Sequence, residues 1–161
     1  MGKLFKSMFR GIIMLVIIIF IITGCSSKNT IDSNISFKDL ETKIKGIANM
    51  SNMNVGDMES LESLYGINKD EIEDFIFYTS TTNIKADEIV VLKVKDSSKI
   101  DEIKAKISKR IDEQTMKFQD YLPEEYYLIE KHILKSKNDC ILFVILEEAE
   151  NVEKVFDKEI Q

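Results

Sequence analysis

The sequence predicts an α+β domain: a four-stranded antiparallel sheet in ββα-ββα order with helices packed on it, preceded by two N-terminal helices. Three observations carry that expectation. Apolar residues recur at spacings of three and four over 37–50 and 98–121, the period of a helix with one buried face. Short β-branched and aromatic runs stand at 75–82, 88–95, 128–137 and 140–146, the composition of strands. Strand, strand, helix also occurs twice: Ile89-Val-Val-Leu and Ile141-Leu-Phe-Val lie 52 residues apart, and so do Ile100 and Val152. That spacing fits either a ββα duplication or two such units matching by chance.

Each element has a local cause. Ser36-Phe-Lys-Asp39 is a capping box, and Phe37, Leu40, Ile44, Ile47 and Met50 form one stripe behind it. Residues 51–56 break that helix. Asp57 caps a short helix with Leu61, Leu64 and Tyr65 on its inner side; Gly66 suits the left-handed position after it, with Ile67 closing the turn. Asn68 and Glu71 repeat the capping logic for one turn, and strands follow over 75–82 and 88–95, joined by a turn at 83–87. Ser98–Tyr121 is the clearest helix, with Ile100, Ile103, Ile107, Ile111 and Phe118 inward, and Glu102 to Lys106 and Glu113 to Lys117 as i,i+4 pairs. Pro123 stops it. A hairpin turning at Lys137-Asn-Asp and a helix over 151–160 complete the chain's pattern.

The strand runs are apolar at successive positions, so both sheet faces want cover. The 97–118 and 151–160 helices are expected on one face and the two N-terminal helices on the other. The alternative is an open apolar binding face.

Residues 1–25 carry an address. Lys3, Lys6 and Arg10 precede the apolar run Gly11–Ile22 and then Ile22-Thr23-Gly24-Cys25. That is the layout of a secretory signal peptide, with a cysteine placed as in the lipobox of bacterial lipoproteins. Domain boundaries follow: 1–24 as signal peptide, 25–35 as lipidated Cys25 and a flexible tether, 36–161 as one domain. Twelve apolar residues span roughly 18 Å, short of a bilayer core of about 30 Å, which disfavours the rival reading of an uncleaved anchor.

The chain's net charge is −6, and because residues 1–24 hold three bases and no acid, the remainder carries −9. An acidic body argues against nucleic acid and against electrostatic adhesion to an anionic membrane. The expected membrane contact is therefore a diacylglyceryl group on Cys25, whose two chains hold stably where one does not. With Cys25 acylated, Cys140 has no partner for a disulfide; inside an apolar strand it reads as a small buried hydrophobe.

One order of features has a counterpart. Leu64-Tyr65-Gly66-Ile67 is followed by an acidic turn (Asp70, Glu71, Glu73), a strand ending Tyr78-Thr79-Ser80, Ala86-Asp87-Glu88-Ile89-Val90-Val91 and a long helix. Phe118-Gln-Asp120-Tyr121-Leu-Pro123-Glu124 and a closing hairpin with a helix complete it. The chain resembles the small Gram-positive lipoproteins carrying domain of unknown function 4358. The resemblance covers nearly all of residues 25–161. It departs at Tyr78-Thr79-Ser80, where the family is expected to have a methionine before the serines. It implies location and domain extent, and no activity, cofactor or site.

Candidate chemistry is sparse. His132 is the single histidine and reads as solvated or core. There is no Gly-x-Ser-x-Gly, phosphate loop or Cys-x-x-Cys, and no cofactor or metal is expected. The acidic stretch 68–74 lacks the glycine and register of a calcium loop. The candidate interaction patch is Asp120, Tyr121, Glu124, Tyr126 and Tyr127, tyrosines and acids gathered around a turn and suited to protein or carbohydrate contact. Its plainer alternative is that Tyr121 and Tyr127 pack against the helix end. The expected function is a non-catalytic, lipid-anchored, extracytoplasmic domain that binds a protein partner. The alternative is a carboxylate-based enzyme acting on cell-wall glycan.

Overall fold

Helices close both faces of a single twisted sheet. The structure is a computed structural model and describes residues 36–160. The expected signal segment, Cys25 and the expected tether lie outside the described residues. In chain order the elements are α1 (Phe37–Lys45), β1 (Met53–Val55), α2 (Met58–Tyr65), β2 (Ile72–Ser80), β3 (Glu88–Val94), a 3₁₀ turn (Ser97–Lys99), α3 (Ile100–Phe118), α4 (Pro123–Glu130), β4 (Ile133–Lys137), β5 (Cys140–Ile145) and α5 (Ala149–Glu159).

The sheet has five strands in the order β1-β2-β3-β5-β4, with every neighbouring pair antiparallel. This corrects the expected four. The added strand, β1, pairs Met53, Asn54 and Val55 with Ser80, Thr79 and Tyr78 on the edge of β2. It also separates α1 from α2, so the two helices do not simply precede the sheet. The ββα-ββα order fails at a second place, because α4 stands between α3 and β4. Pro123 opens that helix at its first turn, where a missing N–H is harmless, as well as following the previous one. Leu128–Glu130 are helical, and the strand expected from Leu128 begins at Ile133.

Both faces are covered, with the helices divided differently from expectation. α1 and α5 pack on Ile76, Tyr78, Ile89, Val91, Cys140, Leu142 and Val144. α2, α3 and α4 pack on Phe77, Val90, Leu92, Ile141, Phe143 and Ile145. The same division rules out a structural duplication. A two-fold relating β2-β3 to β4-β5 in this strand order runs perpendicular to the sheet and would keep α3 and α5 on one face. They lie on opposite faces, as do Ile89 and its counterpart Ile141.

Local chemistry follows the sequence closely at the caps. Ser36 Oγ accepts from Asp39 N at 3.2 Å, and Asp57 Oδ1 accepts from Ser60 N at 2.9 Å. Gly66 has φ +66°, the left-handed conformation in which an L side chain is strained. The two i,i+4 pairs expected on α3 do not form. Lys106 reaches across to Glu71 (2.6 and 2.8 Å) and Gly66 O (2.9 Å), and Glu102 pairs with Lys99 at 2.8 Å. Glu113 lies 3.9 Å from Lys109, while the Lys117 ammonium stands 4.8 Å from the Phe118 ring centroid.

Cys140 is fully buried on β5. Burial first, and the Asp139 carboxylate second, push its thiol from 9.0 up to about 12. The folded protein is expected to leave Cys140 unmodified by a water-soluble maleimide until urea is added. The pH dependence has a definite sign. Above pH 9.0 the unfolded chain releases a thiol proton that the fold retains, so this contribution to stability is complete below that pH and is lost as pH rises toward about 12. Urea midpoints measured at two alkaline pH values should fall more for the wild type than for Cys140→Ala. An equal fall would remove Cys140 as the cause.

Candidate functional site

Three segments meet at one end of the sheet: the β2–β3 loop, the first half of α4, and the corner between β5 and α5. Between them run three adjoining depressions of about 440, 490 and 300 Å³. The first is walled by Ile84, Leu122 and Pro123. It shares Lys85, Glu124 and Glu125 with the second, which in turn shares Tyr127, Leu128 and Glu147 with the third. Lys131, Glu148, Glu150 and Asn151 close the far end. The shared walls make one elongated groove.

The groove is pinned by Glu125. Pro123 fixes the first turn of α4, and Glu124 and Glu125 sit where the helix dipole favours acids. Glu125 is buried; it accepts from Ala86 N at 2.9 Å and from Lys85 Nζ at 2.5 Å. One carboxylate thus clamps the β2–β3 loop to α4, and its hydrogen bond raises the pKa of Lys85. Asp87, half-buried beside it, is raised by burial first and then by the Glu125 charge, with Glu148 adding to the effect. None of Asp87, Glu124, Glu147, Glu148 and Glu150 forms an ion pair with a described residue.

The structure divides the predicted patch. Glu124 and Tyr127 line the groove. Tyr121 is 83% exposed just before Leu122, and Tyr127 is 53% exposed, so neither packs against the helix end. Tyr126 is the one that turns inward, partly buried against the α3 side of the core, and the nearby Glu130 carboxylate raises the pKa of its hydroxyl. Asp120 is exposed and contributes nothing to the groove. Sequence reasoning missed Ile84, Lys85, Leu128, Lys131, Glu147 and Glu148. A signal for part of this was present: Pro123 followed by two acids is a helix start, and that reading alone puts Tyr127 and Lys131 on one helical face.

A second polar cluster gathers around Glu88. Glu88, the first residue of β3, is fully buried. The Tyr65 hydroxyl donates to its Oε1, Arg110 donates to both oxygens at 3.2 Å, and Gln114 Nε2 donates to Oε2 at 2.9 Å. Burial, then the Glu88 charge, hold the Tyr65 hydroxyl well above its ordinary pKa of 10.0. Gln114 Oε1 makes no hydrogen bond, the consequence of aiming the amide's donor end at Glu88. With four donors on one carboxylate this cluster is a closed structural unit.

The remaining candidates resolve locally. His132 lies in the link before β4, not on a strand; its Nδ1 is 2.7 Å from Ile129 O, and its ring stands edge-on to Phe143. In the acidic stretch, Glu71 Oε2 accepts from Asn68 N at 2.7 Å and Glu73 pairs with Lys93 at 3.0 Å. Among the described residues no group of three acids, histidines or cysteines is placed to hold a metal ion, and no helix is long and apolar enough to cross a membrane.

Residues 47–146 match a family described as a domain of unknown function, DUF4358. That span takes in all five strands and α2, α3 and α4; α1 and α5, which cover the other face, flank it. No curated protein and no solved structure matches the chain.

Proposed function

We propose, for a chain that belongs to the DUF4358 family of domains of unknown function, the role of a lipid-anchored extracytoplasmic domain that binds a protein partner and performs no chemistry of its own. The observation that carries the binding reading is the groove along α4. It is open, elongated and walled by Ile84, Leu122, Pro123, Tyr127 and Leu128, a lining suited to side chains of another protein. The anchor reading rests on Lys3, Lys6 and Arg10, the apolar run to Ile22, and Thr23-Gly24-Cys25.

One experiment on intact cells tests both parts. A photoreactive phenylalanine analogue is placed at Tyr127, with a control at the exposed Lys109, and a clickable fatty acid is fed to the culture. Protein adducts are expected from position 127 and not from 109, on a chain that carries the fatty acid. Cys25→Ala should abolish the lipid label. Equal adducts at both positions, or none, would remove the binding reading. A label that survives Cys25→Ala would remove the anchor.

One observation favours a second reading. Asp87, next in the chain to Ala86 whose N–H Glu125 holds, has its pKa raised first by burial and then by the Glu125 charge, with Glu148 adding to it. A carboxyl group whose pKa is raised by burial beside other carboxylates is a starting point for acid catalysis of glycan hydrolysis. Release of reducing ends from purified wall glycan by the wild type, but not by Asp87→Asn, would favour that enzyme over the binding domain.

A further inference from the structure

We infer that the groove takes an extended, cationic segment of the partner protein, one whose lysine or arginine side chains are interleaved with apolar ones. This deepens the binding reading and rests on it. Three features of the groove point to that chemistry. Its shape is the first. Three depressions, each large enough for a side chain and each sharing lining residues with the next, suit a chain laid along α4 better than a compact ligand.

Its charge is the second. Glu124, Glu147 and Glu148 line it and are paired with no described base, whereas Lys85 is already committed to Glu125 at 2.5 Å. An incoming ammonium or guanidinium therefore meets three open carboxylates, whereas Lys131 at the far end is the one uncommitted base among the lining residues that an incoming acid could meet. The third feature is Tyr127. The protein's own Lys131 ammonium stands 4.2 Å from its ring centroid, so the ring face is one on which a cation stacks, and a partner's cation would take that place by displacing Lys131. The apolar ends at Ile84 and Leu122 supply the pockets between charges.

The test uses the full chain in phosphatidylcholine nanodiscs, with empty discs as the blank. The probe is a fluorescein-labelled nonapeptide with lysine at every third position and alanine and leucine between, read by fluorescence anisotropy. Its counterpart carries glutamate in place of lysine. The lysine peptide is expected to bind and the glutamate peptide not. The triple variant Glu124→Gln, Glu147→Gln, Glu148→Gln should weaken binding at least tenfold, and Tyr127→Ala several-fold, with urea midpoints confirming that both fold. Added salt should weaken wild-type binding.

Binding of the lysine peptide that the triple variant leaves unchanged would overturn the inference, because attraction to an acidic protein in general would explain it. Equal binding of the glutamate peptide would overturn it too. If the lysine peptide does not bind while position 127 still crosslinks a protein in cells, the partner is not cationic: the inference fails and the binding reading stands. If neither occurs, both fail.

Discussion

Glu88→Ala is expected to destabilise the domain by about 3–5 kcal/mol, the cost of breaking a buried charge pair from one side. The carboxylate is fully buried and accepts from Tyr65, Arg110 and Gln114. Removing it leaves a phenol and an amide without an acceptor and a guanidinium whose side chain is only 15% exposed. A domain of this kind has about 5–15 kcal/mol in total, so the loss is a large share. Urea or thermal unfolding measures it. The double variant Glu88→Leu, Arg110→Met separates pairing from packing, because it removes both charges and fills the space. It should recover the share of the loss that comes from the stranded guanidinium, while Tyr65 and Gln114 still lack an acceptor. If the double variant is as unstable as Glu88→Ala, the ion pair is not the cause.

Gly56→Ala is expected to cost about 1–3 kcal/mol by overpacking. A Cβ at this position would lie 2.0 Å from Phe77 Cδ1 and 2.4 Å from Cε1. The strand cannot simply back away, because Gly56 N donates to Phe77 O at 2.8 Å. Nor can the ring, which is buried edge-on to Tyr65 with centroids 5.8 Å apart. The direct check is a double-mutant cycle with Phe77→Leu. The smaller side chain should cost clearly less in the Gly56→Ala background than in the wild type, since it relieves the clash. Additive costs would show that the alanine acts elsewhere.

The elements the sequence disclosed are those whose signals are local and agree. Over 57–67 a capping aspartate, a stripe of leucines, a left-handed glycine and a closing isoleucine all describe one helix, and that helix is present. Over 140–145 six consecutive apolar residues leave little choice but a strand buried on both sides. β1 was illegible because three residues carry no periodicity; it is a strand only because the edge of β2 is there to receive it. α4 was misread because Pro123 has two meanings, a stop for α3 and a start for the next helix, and the first was taken alone. The groove was half legible. Glu124 and Tyr127 could be seen as a cluster, but Ile84, Lys85 and Glu147 come from other turns of the chain, and their approach is a product of sheet topology. Glu88 was read as an ordinary strand residue, since its burial depends on Tyr65 and Arg110, each more than twenty residues away.

The cover of the first sheet face has a consequence in time. α1 is made before any strand and α5 after all five, yet both are needed over Ile89, Val91, Leu142 and Val144. During synthesis that face stays open until residues 149–159 have left the ribosome, so the complete fold cannot form on a nascent chain that ends with β5. Until then apolar side chains of that face stay without their C-terminal cover. The face covered by α2, α3 and α4 has no such delay, because all of its helices precede β5.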